Sequence, residues 1–270
     1  MRYNSREEVE QIGSAGSYYE DVDGYTVARM LSSFWLVLDD EDEGFYPHAT
    51  TLGEGFWEAW ITAWMSQNVA PGSRCLDIGA NIGYYTMFLL EHRCQVRAVE
   101  PQPRLADLIE KSVAYNRFRL IDDSVDQVAV GNESGMVTML VPPNHGMNAY
   151  LTDLDYGVEG ETIEVYCRTL NDYVDGENRY NFVKVDIEGA EETLFDDADQ
   201  FIATNPGCTY LVEWSSGRMT EPVAAAERLF EKFNLWYVDF AGNEVPIERP
   251  EGVMESSMED WIMLVLRNKI

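Results

Sequence analysis

The sequence predicts an α/β fold, a Rossmann-like doubly wound sheet with strands and helices in alternation. Short apolar runs at 74–78, 96–99, 126–130, 180–185 and 208–212 read as its strands. Helical spacing separates them, as in Leu105, Leu108, Ile109 and Val113, or in the amphipathic stretch 221–233. The first run passes through a glycine turn, Asp77-Ile-Gly-Ala-Asn-Ile-Gly83, into a helical pattern. In such sheets ligands meet the carboxyl ends of the strands.

In chain order, residues 5–12 suit a short helix. Residues 25–30 and 34–38 read as a β-hairpin joined at Ser32-Ser33. The acidic run 39–43 is a solvated loop, and Phe45-Tyr46-Pro47-His48 is aromatic and irregular. Residues 55–68 place Phe56, Trp57, Trp60, Ile61 and Trp64 at helical spacing, a stripe that suits core packing more than a substrate lid. Pro71-Gly72 ends this region, which divides the chain into an N-terminal extension, 1–70, and a ligand-binding domain, 71–270.

Cys75, Leu76 and Ile78 form a strand covered on both faces, and Gly79 and Gly83 bracket the turn that follows. Tyr84, Met87, Phe88 and Leu90 then begin a helix, whose N-terminus offers free N–H groups. A phosphate loop would need Gly-Lys-Ser/Thr, but Tyr84 follows Gly83, and the turn lacks the dinucleotide order G-x-G-x-x-G. The order Asp77-x-Gly79-x-Asn81-x-Gly83 suits a cofactor without a pyrophosphate. Asp77 can organise the loop or meet an ammonium group. Glu100 ends the second strand, where an acid accepts both hydroxyls of a ribose. A ribose acceptor without a phosphate site points to S-adenosylmethionine. The plain alternative is that Asp77 and Glu100 cap loops.

The stretch Leu76-Asp-Ile-Gly-Ala-Asn-Ile-Gly-Tyr-Tyr-Thr86 resembles the first motif of the FkbM family of S-adenosylmethionine-dependent methyltransferases. Val99-Glu-Pro-Gln-Pro103, with Asn116 downstream, resembles the second motif, and Val128-Ala-Val-Gly131 with Gly135 the third. Phe182-Val-Lys-Val-Asp-Ile-Glu-Gly-Ala-Glu191 resembles the most distinctive one. The likeness covers about residues 52–214 and leaves 1–45 unread. It implies a seven-stranded methyltransferase sheet, closed by a hairpin of 235–240 and 261–266. It also implies S-adenosylmethionine as cofactor. The cofactor-binding candidates are Asp77, Gly79, Asn81, Gly83, Thr86, Glu100, Pro101, Asn116, Gln127 and Asp186.

Further along, Pro101 and Pro103 open a helix to about Asn116. Residues 126–130 are the third strand, whose end should approach the adenine. Residues 136–141 and 162–167 are two more strands around a turn-rich loop, 142–149. Pro142-Pro143-Asn144 does not match the Asn/Asp-Pro-Pro-aromatic motif of amino-group methyltransferases, since Val141 precedes it and no aromatic follows. Asp186 and Glu188 lie just past the fourth strand, before a helix over 190–198, and Glu213 ends the fifth.

Methyl transfer is an in-line displacement, for which positioning matters most. Asp186 and Glu188 sit where the methyl group should be and are catalytic candidates, although an acidic turn can equally cap the helix after it. His145 is the candidate general base, with His48 next, while His92 reads as structural. Glu213 is a candidate for the acceptor site, and Arg218 for an anionic substrate group. Asp186, Glu188 and Glu213 could gather around magnesium, but no spacing enforces it, so no metal is assigned.

Net charge is −29, from 48 acidic and 19 basic residues. Such a surface repels nucleic acid and anionic membranes. It suits adaptation to high salt, or a lineage with acidic, lysine-poor proteins. Four cysteines without C-x-x-C spacing read as buried thiols of a reducing compartment. The start carries no signal-peptide pattern and no apolar run reaches a membrane span, so a cytoplasmic location is expected. The expected activity is methylation of a hydroxyl on a sugar, polyketide or other small molecule or glycan, the oxygen preference coming from the resemblance. Nitrogen and carboxylate acceptors, including peptides, stay open, as does a silent cofactor-binding scaffold. Oligomeric state is not legible.

Overall fold

A computed structural model describes residues 2–39, 45–142, 149–151, 159–255 and 261–269. The chain opens with α1 (Arg6–Gly16), capped by the Ser5 side chain, which accepts from the Glu8 N–H. Then follow β1 (Tyr18–Val22), β2 (Tyr25–Met30) and β3 (Phe34–Leu38). The expected hairpin is present, and β1 pairs antiparallel with the free side of β2 to make three strands. Its weak apolar signal hid it: Tyr18 and Tyr19 are exposed. The stretch taken as irregular is instead a short helix, α2 (Phe45–Thr50), pinned inward by buried Phe45 and Ala49. The aromatic stripe becomes α3 (Ala59–Asn68), which starts only after Glu58 in a left-handed conformation.

The central unit runs β4 (Arg74–Ile78), α4 (Tyr84–Glu91), β5 (Gln95–Val99) and α5 (Pro103–Asn116). Gly83 caps α4 at φ +88°, and a Cβ there would lie 2.9 Å from the Ile109 side chain, so turn and packing both require glycine. Beyond α5 come β6 (Ala129–Val130), β7 (Gly135–Val141), β8 (Tyr150–Leu151) and β9 (Glu161–Arg168). They form a separate four-stranded sheet, β6-β9-β7-β8. The third strand expected at 126–130 thus shrinks to two residues, joined to the main sheet by one bridge, Val99 to Asp126.

The second half continues with β10 (Phe182–Val185), α6 (Glu191–Leu194), α7 (Asp199–Thr204) and β11 (Thr209–Trp214). The helix expected over 190–198 is therefore two short ones, broken where buried Phe195 and Ala198 turn the chain into the core. Then come α8 (Pro222–Lys232), β12 (Phe233–Val238), β13 (Glu244–Ile247), α9 (Gly252–Glu255) and β14 (Ile262–Asn268).

The main sheet has seven strands in the order β13-β12-β14-β11-β10-β4-β5. Strands β11, β10, β4 and β5 are parallel, and β14, β12 and β13 antiparallel. The count matches expectation, but the membership differs. β13 takes an edge in place of the strand expected at 126–130, while β12 and β14 pair antiparallel as expected, with β13 and α9 between them in the chain.

Alternation along each strand sends side chains to opposite faces. One face packs with α1, β2, β3, α3, α4 and α5 in a single apolar cluster. The extension therefore shares its core with the sheet. The other face packs with α6, α7 and α8. All four cysteines are buried free thiols. Among the described residues, no helix is long and apolar enough to cross a membrane.

Candidate active site

The site lies at the carboxyl ends of the parallel strands. Asp77 on β4 and Lys184 on β10 are register partners, and Glu213 on β11 follows on the same face. The residues before them in alternation, Cys75, Phe182 and Leu211, belong to the apolar cluster. At the strand ends that face changes from apolar to ionic. Lys184 is buried, donates to Asp186 Oδ2 at 2.9 Å and stands 4.9 Å from the Tyr85 ring centre. Burial opposes its charge, but Asp186, Asp77 and Glu58 outweigh that and raise its pKa. Asp77 is fully buried. Its Oδ2 accepts from Thr86 Oγ1 at 2.5 Å, while Oδ1 has no hydrogen-bond partner among the described residues. Burial raises the Asp77 pKa against the pull of Lys184 and Thr86.

Two cavities meet here. The first, about 550 Å³ with its mouth, is walled by Val99, Val128, Val130, Met139 and Ile187. Glu100 is buried in this wall. Its Oε2 accepts from the Asn81 N–H at 2.9 Å and its Oε1 from the Gln102 N–H at 2.9 Å. Those bonds aim the carboxylate and leave each oxygen a second lone pair. Burial pushes its pKa up to about 7. The second cavity, about 850 Å³, is lined by Phe45, Trp57, Tyr84, Tyr85 and Trp261 with Glu58, Lys184, Glu213 and Arg218. Gly79, Asn81, Asp186 and Glu188 line both, forming the throat. At Gly79, with φ +71°, a Cβ would fall 1.7 Å from the Asp186 carbonyl oxygen. Only glycine lets the two loops close.

The acidic turn divides its labour. Glu191 accepts from the N–H groups of Ile187 at 2.6 Å and Gly189 at 2.7 Å. It therefore caps the turn, and Asp186 and Glu188 are left facing the cavities. Glu188 pairs with Arg218, which thereby has a partner inside the protein. Glu58 accepts from the Tyr85 hydroxyl.

Of the sequence candidates, Gly79, Asn81, Glu100, Pro101, Asp186 and Glu188 line the first cavity. Asp77, Thr86 and Gly83 support it from behind: the first two by the buried hydrogen bond, the third by opening α4. Two expectations need correction. Asn116 lies away from the cavity and clamps β3 to α5, accepting from the Trp35 N–H at 2.9 Å and donating to the Trp35 carbonyl at 2.7 Å. Gln127 is exposed and outside the lining, where its neighbours Val128, Ala129 and Val130 stand instead. His145 lies outside the described residues. His48 pairs with Glu54 at 2.7 Å, edge-on to Trp57, and does not line either cavity. His92 is buried against Phe88 and the Val69 carbonyl, as a structural histidine should be. Among the described residues, no group of three His, Cys, Asp or Glu has the arrangement of a metal site.

Sequence reasoning missed Glu58 and Trp57, which only the folding of the extension brings to the site, and Tyr85, which α4 carries into it. Lys184 carried a signal, as the one charge in the apolar strand Phe182–Val185.

An α/β sheet with a ribose-type acceptor at the tip of its second parallel strand defines a class of nucleoside-binding folds. The family model described as the methyltransferase FkbM domain matches residues 77–235. The chain belongs to the FkbM methyltransferase family. No curated protein matches it at the same stringency. Solved structures similar to it include P. horikoshii TYW2 in complex with MeSAdo, 16% identical, with 92% of this chain and 71% of that chain covered at TM-score 0.45. Another is a TehB-like SAM-dependent methyltransferase of Corynebacterium glutamicum, 12% identical, covering 78% and 88% at 0.42. A third is the 16S rRNA methyltransferase RsmC of T. thermophilus, 11% identical, covering 94% and 50% at 0.43. At these TM-scores the three carry no argument about activity.

Proposed function

We propose that the protein is an S-adenosylmethionine-dependent methyltransferase acting on a hydroxyl of a small-molecule or glycan acceptor. The observation that carries this reading is the pair of joined cavities, one apolar with the Glu100 carboxylate in its wall and the other acidic and aromatic. Glu100 would accept the ribose hydroxyls, and Val99, Val128, Val130 and Ile187 offer apolar surface to the base. Gly79, Asn81 and Asp186, at the throat, suit the methionine end, with Asp77 supporting them from behind. The donor supplies, when bound, a methyl group on a positively charged sulfonium. The chain's part is to hold the acceptor in line behind the throat and to shield it with Phe45, Trp57 and Trp261. Asp186 and Glu188 border that point, and His145 remains the proposed base. In this reading residues 1–70 shape the acceptor side of the 71–270 methyltransferase domain.

The oxygen preference rests on the family likeness, and a nitrogen acceptor is the second reading. Charge argues against nucleic acid as acceptor, because −29 repels a polyanion. A cytoplasmic location fits the buried free cysteines. The test is release of S-adenosylhomocysteine across a panel of hydroxyl, amine and carboxylate acceptors. Release with hydroxyl compounds alone supports the proposal; release only with amines or carboxylates replaces it. No release with any class favours a silent scaffold.

A further inference from the structure

Among the described residues, four carboxyl groups and two cations line the second cavity. Asp186 is paired with Lys184 and Glu188 with Arg218. Among the described residues, neither Glu58 nor Glu213 has a cationic side chain within ion-pair distance, and both line the cavity. They come from different elements, Glu58 ahead of α3 and Glu213 on β11. The same cavity has an aromatic wall of Trp57, Tyr85 and Trp261. We propose that the acceptor carries a positively charged nitrogen, held between Glu58 and Glu213 and against these rings. This rests on reading the second cavity as the acceptor site, and it narrows the acceptor to an amino alcohol or amino sugar.

Two half-buried carboxyls that share no ion pair among the described residues are costly to ionise, whereas a cation among carboxylates and aromatic faces is favoured on both counts. Around Glu58 stand Tyr85 from α4, Lys184 from β10 and Asp186 past its end. Around Glu213 stand Asp186, Glu58, Lys184 and Glu191. Burial holds both carboxyls above their ordinary range, Glu58 at about 7. An entering ammonium replaces the proton, so its binding tightens as pH rises through 7. A neutral alcohol has no such linkage. The donor's methionine end also carries an ammonium group, so the test must separate the two sources.

The experiment is calorimetric titration of the protein with phenethylamine and with phenethyl alcohol, alone and saturated with S-adenosylhomocysteine. The amine should bind about tenfold more tightly than the alcohol or better. That preference should vanish in Glu213→Gln and in the Glu58→Gln, Glu213→Gln double variant. Equal affinities, a preference for the alcohol, or no amine binding at millimolar concentration would overturn the proposal. So would a Glu58→Gln protein that loses affinity for S-adenosylhomocysteine but keeps it for methylthioadenosine, since the carboxyl would then serve the donor. Glutamine resembles the protonated carboxyl, so the variants should fold, and the wild-type comparison needs no variant. If S-adenosylhomocysteine fails to bind wild type, the methyltransferase reading fails, while the amine preference is still decided on the ligand-free protein.

Discussion

Lys184 and Asp77 are register partners on adjacent parallel strands, so the buried cation lies beside the one fully buried aspartate of the glycine-turn motif. With Asp186 at 2.9 Å from Nζ, Lys184 is the charge that makes this group of carboxylates tolerable in a low-dielectric interior. Replacing it by Met keeps the volume and removes the charge. Lys184→Met should lose about 3–5 kcal/mol of unfolding free energy in urea titration. A loss under about 1 kcal/mol would show that the carboxylates do not depend on it.

Glu58, Glu100 and Glu191 are each raised from 4.5 to about 7, burial being the main cause. Between pH 4.5 and 7 the native state then binds more protons than the unfolded chain, so stability falls as pH rises. Their contribution is complete below 4.5 and lost as pH passes 7. The ligand-free protein should therefore be more stable near pH 5 than near pH 8 by thermal unfolding at constant ionic strength. Greater stability at pH 8 would contradict the burial of these carboxyls.

Asn116 separates folding from binding. Its side chain holds the Trp35 backbone at both N–H and carbonyl and also donates to the Ser112 carbonyl at 2.7 Å. Asn116→Ala should cost about 2–4 kcal/mol of stability, from hydrogen bonds lost in a half-buried clamp. Affinity for S-adenosylhomocysteine should stay within about twofold. A large loss of affinity without a loss of stability would restore it to the cofactor site.

These residues show what the sequence makes legible. Gly79, Glu100 and Asp186 could be placed because sheet topology alone puts the ends of β4, β5 and β10 together. Asn116 and Gln127 sit in stretches that resemble the family's motifs, but the fold sends them elsewhere. One clamps the extension, and the other faces solvent just ahead of β6, a strand too short to enter the main sheet. Glu58 and Trp57 were hidden for another reason. Their role depends on how the extension packs across the strand ends, and no local period encodes that contact. The same holds for β1 and β13, edge strands with little apolar signal.

The charge of −29 should show itself in salt dependence. Screening shortens the range of self-repulsion from about 30 Å at 0.01 M salt to about 3 Å at 1 M. The melting temperature should rise steadily between those limits. A flat or falling curve would reject the salt-adaptation reading of the acidic surface.

If Glu100 holds the ribose of the methyl donor, removing its carboxylate should abolish stabilisation by that donor. Thermal or chemical unfolding of wild type and Glu100→Ala, with and without S-adenosylmethionine and S-adenosylhomocysteine, tests it most directly. At a hundredfold excess over Kd, a ligand bound only by the native state stabilises by about 2.7 kcal/mol. The account predicts that gain in wild type for both ligands and little of it in Glu100→Ala. No gain in wild type, or an equal gain in the variant, would contradict it.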